Sequence, residues 1–224
     1  MDSALGATAA AKRTKFGARL RAWYRRNHRD LPWRKTRDPY HVLVSELMLQ
    51  QTQVSRVLDF YARFLETFPT IQHLADAKPK RVMESWEGLG YYARARNLHK
   101  LAKHVTGNGG PGTLPEEPHE LRKLPGIGAY TAGAVASFAY EKRAALVDTN
   151  VARVLSRVFA PKLNPKRPRD LKKLWALAEL TLPRSGKTAW TQNQALIELG
   201  ALVCTARVKR CAICPLKRIC KSSE

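Results

Sequence analysis

Four cysteines lie close together near the C-terminal end of the sequence: Cys204, Cys211, Cys214 and Cys220, in the spacing C-x6-C-x2-C-x5-C. The chain has no other cysteine, so these four have only each other as sulfur partners. Four thiolates within 17 residues suit one tetrathiolate site. Structural zinc and an iron–sulfur cluster both accept four thiolates. Zinc sites commonly pair two short C-x2-C clips, and a single clip stands here, which favours a [4Fe–4S] cluster over zinc. Disulfides require an oxidising compartment, and the first fifteen residues lack the apolar core of a secretory leader. Arg207, Lys209 and Arg210 fall between the first two cysteines and place positive charge beside the site, where a phosphate can dock.

Two carboxylates are the other chemical candidates. Glu46 sits among Val42, Leu43, Val44, Leu47, Met48 and Leu49, and an acid in so apolar a stretch is costly to bury as an anion. That setting suits a general acid, although an amphipathic helix also tolerates a Glu on its polar face. Asp148 follows Ala144-Ala145-Leu146-Val147 and precedes Thr149-Asn150, the position of a helix N-cap. A capping carboxylate can also face a ligand. Polar residues cluster at Gln50-Gln51-Thr52-Gln53, directly after the Glu46 helix, and their amides can probe base edges or fill the gap left by a displaced base. Tyr91 and Tyr92 follow a Gly-Leu-Gly turn. Tyr91 is expected to project and wedge between base pairs, Tyr92 to pack in the core. Arg94 and Arg96 come next on the same helix, as candidate phosphate contacts or as a solvated face.

These groups need a frame, and the segment Leu124-Pro125-Gly126-Ile127-Gly128-Ala129-Tyr130-Thr131 supplies its pivot. It reads as helix, tight turn, helix. Pro125 ends the first helix, Gly126 and Gly128 leave the backbone bare, and Ile127 points inward as an apolar plug. The amides opening the second helix carry partial positive charge and can hold a phosphate. Helical periodicity places further helices over 14–27, 42–49, 54–68, 79–86, 91–105, 149–159, 168–182 and 190–203, with a loop over 107–114. No segment reads as a strand, so the expected fold is all-α with roughly ten helices.

Forty Lys and Arg against eighteen Asp and Glu give a net charge of +22, which matches a nucleic-acid partner better than a small molecule. No apolar run is long enough to span a membrane. The expected setting is cytoplasmic and nucleoid-associated in a prokaryote, with no membrane partner, and the expected state a monomer.

Jointly, Leu31-Pro32-Trp33, residues 45–54, 88–97, the hairpin, 147–155 and the cysteine pattern resemble the helix-hairpin-helix DNA glycosylase superfamily, and within it the MutY-like adenine glycosylases. The resemblance covers nearly the whole chain. It implies two all-α lobes with a central cleft: a six-helix lobe over 34–147 holding the hairpin (121–138), and a discontinuous lobe of 14–33 plus 148–224 holding the [4Fe–4S] cluster, after a disordered basic arm at 1–13. It implies that Glu46 protonates a flipped adenine, that Asp148 stabilises the cationic sugar and handles the water, and that Tyr130 and Asn150 assist. Gln50, Gln51, Thr52, Tyr91, Gly126, Gly128, Arg94 and Arg96 would contact DNA. Arg34, Val54 and Gln194 would line the base pocket. The partner would be double-stranded DNA carrying adenine opposite 8-oxoguanine or guanine.

Tyr130 stands where bifunctional relatives carry a lysine, and a phenol forms no Schiff base, so a monofunctional enzyme is expected. The chain stops four residues after Cys220, without the 8-oxoguanine-reading domain of longer MutY proteins. Short thymine/uracil mismatch glycosylases share this length and a tyrosine–aspartate pair, and are the alternative. A non-enzymatic DNA-binding iron–sulfur protein is a second alternative. It has no use for two carboxylates in a phosphate-binding surface.

Overall fold

The computed structural model describes residues 2–107, 110 and 112–223. Eleven α-helices stand among them: α1 (Asp2–Asn27), α2 (Pro39–Met48), α3 (Val54–Thr67), α4 (Ile71–Asp76), α5 (Pro79–Ser85), α6 (Ala93–Thr106), α7 (Pro118–Leu121), α8 (Ala129–Phe138), α9 (Thr149–Phe159), α10 (Pro168–Thr181) and α11 (Gly186–Leu202). Among the described residues the only β feature is an isolated bridge between Cys204 and Lys209. None of the described helices is long and apolar enough to cross a membrane. The loop expected over 107–114 lies partly outside the described residues.

The chain divides into two compact units, Asp30–Tyr140 and Met1–Arg29 with Glu141–Glu224. Residues 30–33 therefore fall in the hairpin unit and 141–147 in the cysteine unit, the reverse of the boundaries expected from sequence. The basic arm expected over 1–13 is corrected as well. The backbone is helical from Asp2, and the Lys12 ammonium donates to the Val158 carbonyl at 3.1 Å. Lysine and alanine are good helix formers, so an apolar anchor further along is enough to extend the helix backward. Phe16 and Leu20, fully buried, are that anchor.

In the Asp30–Tyr140 unit, α2 is the central element. Asp38 caps it by accepting from the His41 amide at 2.9 Å, Pro39 occupies its first turn, and residues 42–48 are all buried. It packs on α3, α6 and α8. The α8 face is made of small residues, Thr131-Ala132-Gly133-Ala134-Val135-Ala136-Ser137, every one buried, which lets the two helices approach closely. Phe64, Phe68 and Trp86 form an edge-to-face group beneath α3 and α5. Burying side chains of this size contributes on the order of 2 kcal/mol each.

In the other unit, α1 and α9 pack on α11, and α10 packs on α9. Glu198 of α11 is fully buried and accepts from the Arg29 backbone amide, its Nε and its Nη2, all within 2.9 Å. This bidentate pair satisfies a charge that burial would otherwise penalise heavily. Gly200 marks the crossing of α11 with α9, since a Cβ there would lie 2.6 Å from the Asn150 Cβ.

Candidate active site and metal centre

Glu46 is 6 % exposed, on the buried middle of α2. Gln50, just beyond the C-terminal end of α2, donates to the Thr131 hydroxyl of α8 at 3.3 Å. Tyr130 precedes Thr131 in the first turn of α8, so the Glu46 helix and the Tyr130 helix are tied side by side. Arg34 is half-buried in a 3-10 turn at Pro32–Arg34, and Val54 is the half-buried first residue of α3.

The hairpin turn divides the expected roles of its two glycines. Gly126 has φ 77° and its Cβ position would lie 2.6 Å from the Asn97 Cβ, so glycine is required there twice over. Gly128 has φ −87° with open space around it, and is not conformationally obliged. It is the N-cap of α8 without a side-chain cap bond, and no acidic residue follows in the first turn. Ile127 is buried, as the plug reading expected.

Gln51 and Tyr91 both take left-handed backbone conformations, φ 58° and 47°. Both are exposed, Tyr91 at 57 %. Left-handed α geometry costs a non-glycine residue about 1–2 kcal/mol, so something must hold them. Two expectations fail here. Tyr92 is 38 % exposed rather than core. The helix starts at Ala93 rather than Tyr91, because Tyr91 has left the helical region.

Arg94 is the larger correction. It is 7 % exposed, and its guanidinium is occupied by the carbonyls of Leu47 and Met48, both at 2.8 Å, and of Gly90 at 3.0 Å. It is therefore not a phosphate contact. Burial pulls its pKa down, partly offset by Tyr91. Arg96 is exposed. Gln50 and Thr52 are half-buried and engaged within the unit, Thr52 with Gln50 and Arg94, so Gln51 is the outward member of that trio.

In the second unit, Asp148 caps α9. One carboxylate oxygen accepts from the Val151 amide at 2.7 Å, the other from the Asn150 side-chain amide at 2.9 Å. Burial pushes the Asp148 carboxyl above its usual range, against the pull of those donors and of Arg153. Gln194 is buried in α11.

The four cysteine side chains line one pocket, walled by Leu199, Val203 and Leu216. Burial pushes the Cys214 and Cys220 thiols up, helped by the other three sulfurs at Cys214 and by Cys204 and Cys211 at Cys220. The Arg157 guanidinium donates to the Cys204 sulfur at 3.3 Å and to the Thr205 carbonyl at 2.7 Å. Among the described residues, no three His, Cys, Asp or Glu side chains are grouped closely enough to hold a single metal ion.

Sequence reasoning missed the arginines of α9. Arg153 donates to the Cys204 carbonyl at 2.8 Å and to the Asn150 side-chain oxygen at 2.6 Å, so one guanidinium joins the start of the cysteine loop to the cap of Asp148. The available signal was their i, i+4 spacing, which puts Arg153 and Arg157 on one face of a helix whose other face is apolar.

The family model of the HhH-GPD superfamily base excision DNA repair proteins matches residues 44–179. The chain belongs to this superfamily. Among curated relatives it is similar to the adenine DNA glycosylase of Rattus norvegicus, 42 % identical over 94 % of this chain and 42 % of that protein. The adenine DNA glycosylase of Mycolicibacterium smegmatis is 47 % identical over 88 % of this chain and 66 % of its own length. The chain thus spans less than half of the rat relative and about two thirds of the mycobacterial one. Among solved structures, a thermostable thymine-DNA glycosylase superposes with a TM-score of 0.86 at 31 % identity, over 96 % of this chain and 97 % of that one. An endonuclease III from a non-covalent DNA complex shares the HhH-GPD fold, with a TM-score of 0.75 at 24 % identity and 92 % coverage of both chains.

Proposed function

We propose that this HhH-GPD chain is a monofunctional DNA glycosylase that hydrolyses the N-glycosidic bond of adenine opposite 8-oxoguanine or guanine, acting as a monomer on duplex DNA. The observation that carries the reading is a carboxyl, Glu46, held at 6 % exposure in an apolar helix. Such a group serves as a general acid for a purine leaving group and has no use in a protein that merely binds phosphates. The curated relatives at 42 % and 47 % identity, named as adenine DNA glycosylases, support the choice of base.

Excision of a stacked base needs extrusion, a proton for the departing base and an anion for the cationic sugar. Gln51 and Tyr91 enter the duplex, Glu46 supplies the proton, and Asp148 supplies the anion and handles the water. Tyr130, Asn150 and Gln194 support these steps, with Arg34 and Val54 beside the extruded base. A phosphate rests on the uncapped start of α8 at Gly128, and Arg96 adds a screened contact.

Cys204, Cys211, Cys214 and Cys220 fit a [4Fe–4S] cluster: four thiols on one pocket, an N–H donor to one sulfur and apolar walls. When bound, the cluster supplies a covalent cross-link of the C-terminal loop. Arg157 and Arg153 hold that loop to α9 through Cys204. Purified protein should carry four iron and four labile sulfide per chain.

The solved thymine-DNA glycosylase at a TM-score of 0.86 supports the second reading, removal of thymine or uracil opposite guanine. Excision assays on duplexes with A opposite 8-oxoguanine, A opposite G, T opposite G and U opposite G separate the two. Release of thymine or uracil alone would overturn the adenine reading.

A further inference from the structure

The groups that enter the duplex in the proposed function sit on two separate loops. Gln51 lies between α2 and α3, Tyr91 between α5 and α6. Each occupies a left-handed conformation and each is exposed. Arg56, in the first turn of α3, donates to the Gly88 carbonyl at 2.8 Å, and one buried side chain reaches both loops at once.

The Arg94 guanidinium donates to both loops at once. On the α2 side, Nη1 reaches the carbonyls of Leu47 and Met48 at 2.8 Å, the Gln50 carbonyl at 2.5 Å and the Thr52 hydroxyl at 3.3 Å. On the other side, Nη2 reaches the carbonyls of Leu89 at 3.2 Å and Gly90 at 3.0 Å, and Nε reaches that of Tyr91 at 3.4 Å. The acceptors include carbonyls at the C-terminal end of α2, which carries no basic residue in its last turn. Orphan carbonyls and negative dipole there favour a cation. The carbonyl immediately before Gln51 and the carbonyls flanking the Tyr91 peptide are among those held. The two strained residues are thus pinned by the same planar fork. Trp86 and Tyr91 rings lie against the guanidinium, 5.5 and 5.4 Å from its carbon.

We propose that Arg94 is a positioning residue for base extrusion: its guanidinium locks the Gln51 loop and the Tyr91 loop into one rigid unit, so that both side chains enter the duplex together. The inference rests on the reading that Gln51 and Tyr91 act inside the duplex. Lysine keeps the charge but offers three donors on a single atom, and cannot bridge acceptors spread over two loops. Arg94→Lys is therefore the informative variant.

The readout is fluorescence of 2-aminopurine placed beside the target adenine, which rises on unstacking, together with anisotropy of the same duplex. Arg94→Lys is expected to bind ordinary duplex as the parent does, to lose the unstacking signal, and to excise about 100-fold more slowly, the scale of a misplaced group. A Gln51→Ala, Tyr91→Ala double variant should lose the same signal, and adding Arg94→Lys to it should change nothing further. If the double variant unstacks normally, the reading of Gln51 and Tyr91 fails. If the double variant loses the signal while Arg94→Lys keeps it, the positioning inference alone fails.

Hydrogen exchange on the unsubstituted protein tests the lock without DNA and without any folding risk. Peptides covering 49–53 and 88–92 should open at one common rate under conditions where opening limits exchange. Two distinct opening rates would overturn the inference.

Discussion

The two units solve the same problem with different materials. In Asp30–Tyr140 the backbone is prominent: the uncapped start of α8 and two left-handed residues whose carbonyl neighbours are gathered by Arg94. In the discontinuous unit side chains are prominent: the capping carboxylate of Asp148, the amide of Asn150, and a pocket of thiols with the Arg157 guanidinium on one sulfur. Backbone features tolerate no change of geometry and are indifferent to pH. Side-chain features depend on protonation and on their donors. The contrast predicts that geometry disables the first unit and chemistry the second.

Glu46→Gln is the largest break in that rule, because it removes chemistry from the backbone-built unit. Excision should fall about 10³-fold while duplex affinity is retained. A variant that excises as the parent does would remove Glu46 as the acid.

Asp148→Asn comes next. Asparagine caps helices as well as aspartate, so the fold should persist while excision drops about 10²–10³-fold. Its stability should sharpen the comparison. The Asp148 carboxyl is pushed up by burial, so the stability it contributes is full below the ordinary carboxylate range and is lost as pH rises through the raised value. Above the raised value the ionised group is therefore a cost, and there Asp148→Asn should melt higher than the parent. The gap should close on acidification through the raised value, and a gap that widened would contradict the burial argument. Excision by the parent should fail on acidification earlier than an ordinary carboxylate would dictate.

Glu198→Gln tests the support of the side-chain unit. It strips the charge from a fully buried partner of Arg29 and should cost on the order of 3 kcal/mol in denaturant unfolding. Gly126→Ala is the smallest and most local. At φ 77° and against the Asn97 Cβ, it should cost about 1–2 kcal/mol and weaken ordinary duplex binding without altering which base is removed.

Sequence and structure agree where a residue's own chemistry writes the signal. Asp148 before a helix reads as an N-cap and is one. The all-α class follows from the 3.6-residue period, and Ile127 from its place between two glycines. Arg94 is illegible in the sequence because its partners are main-chain carbonyls, which carry no residue signature; an Arg-Ala-Arg run looks like a solvated helix face. Tyr91 is exposed as expected, while Tyr92 and the helix start differ for a related reason: a left-handed residue ahead of the helix shifts its start by two positions and leaves Tyr92 exposed as well. The arm at 1–13 was read from its own polarity, while its helicity is set by Phe16 and Leu20 further along.

The most direct test of the central claim is single-turnover excision by the unsubstituted protein on A opposite 8-oxoguanine, compared with T opposite G, with and without alkali. Adenine release is expected, with a strand break seen only after alkaline treatment. Release of thymine in place of adenine, or strand cleavage without alkali, would contradict it.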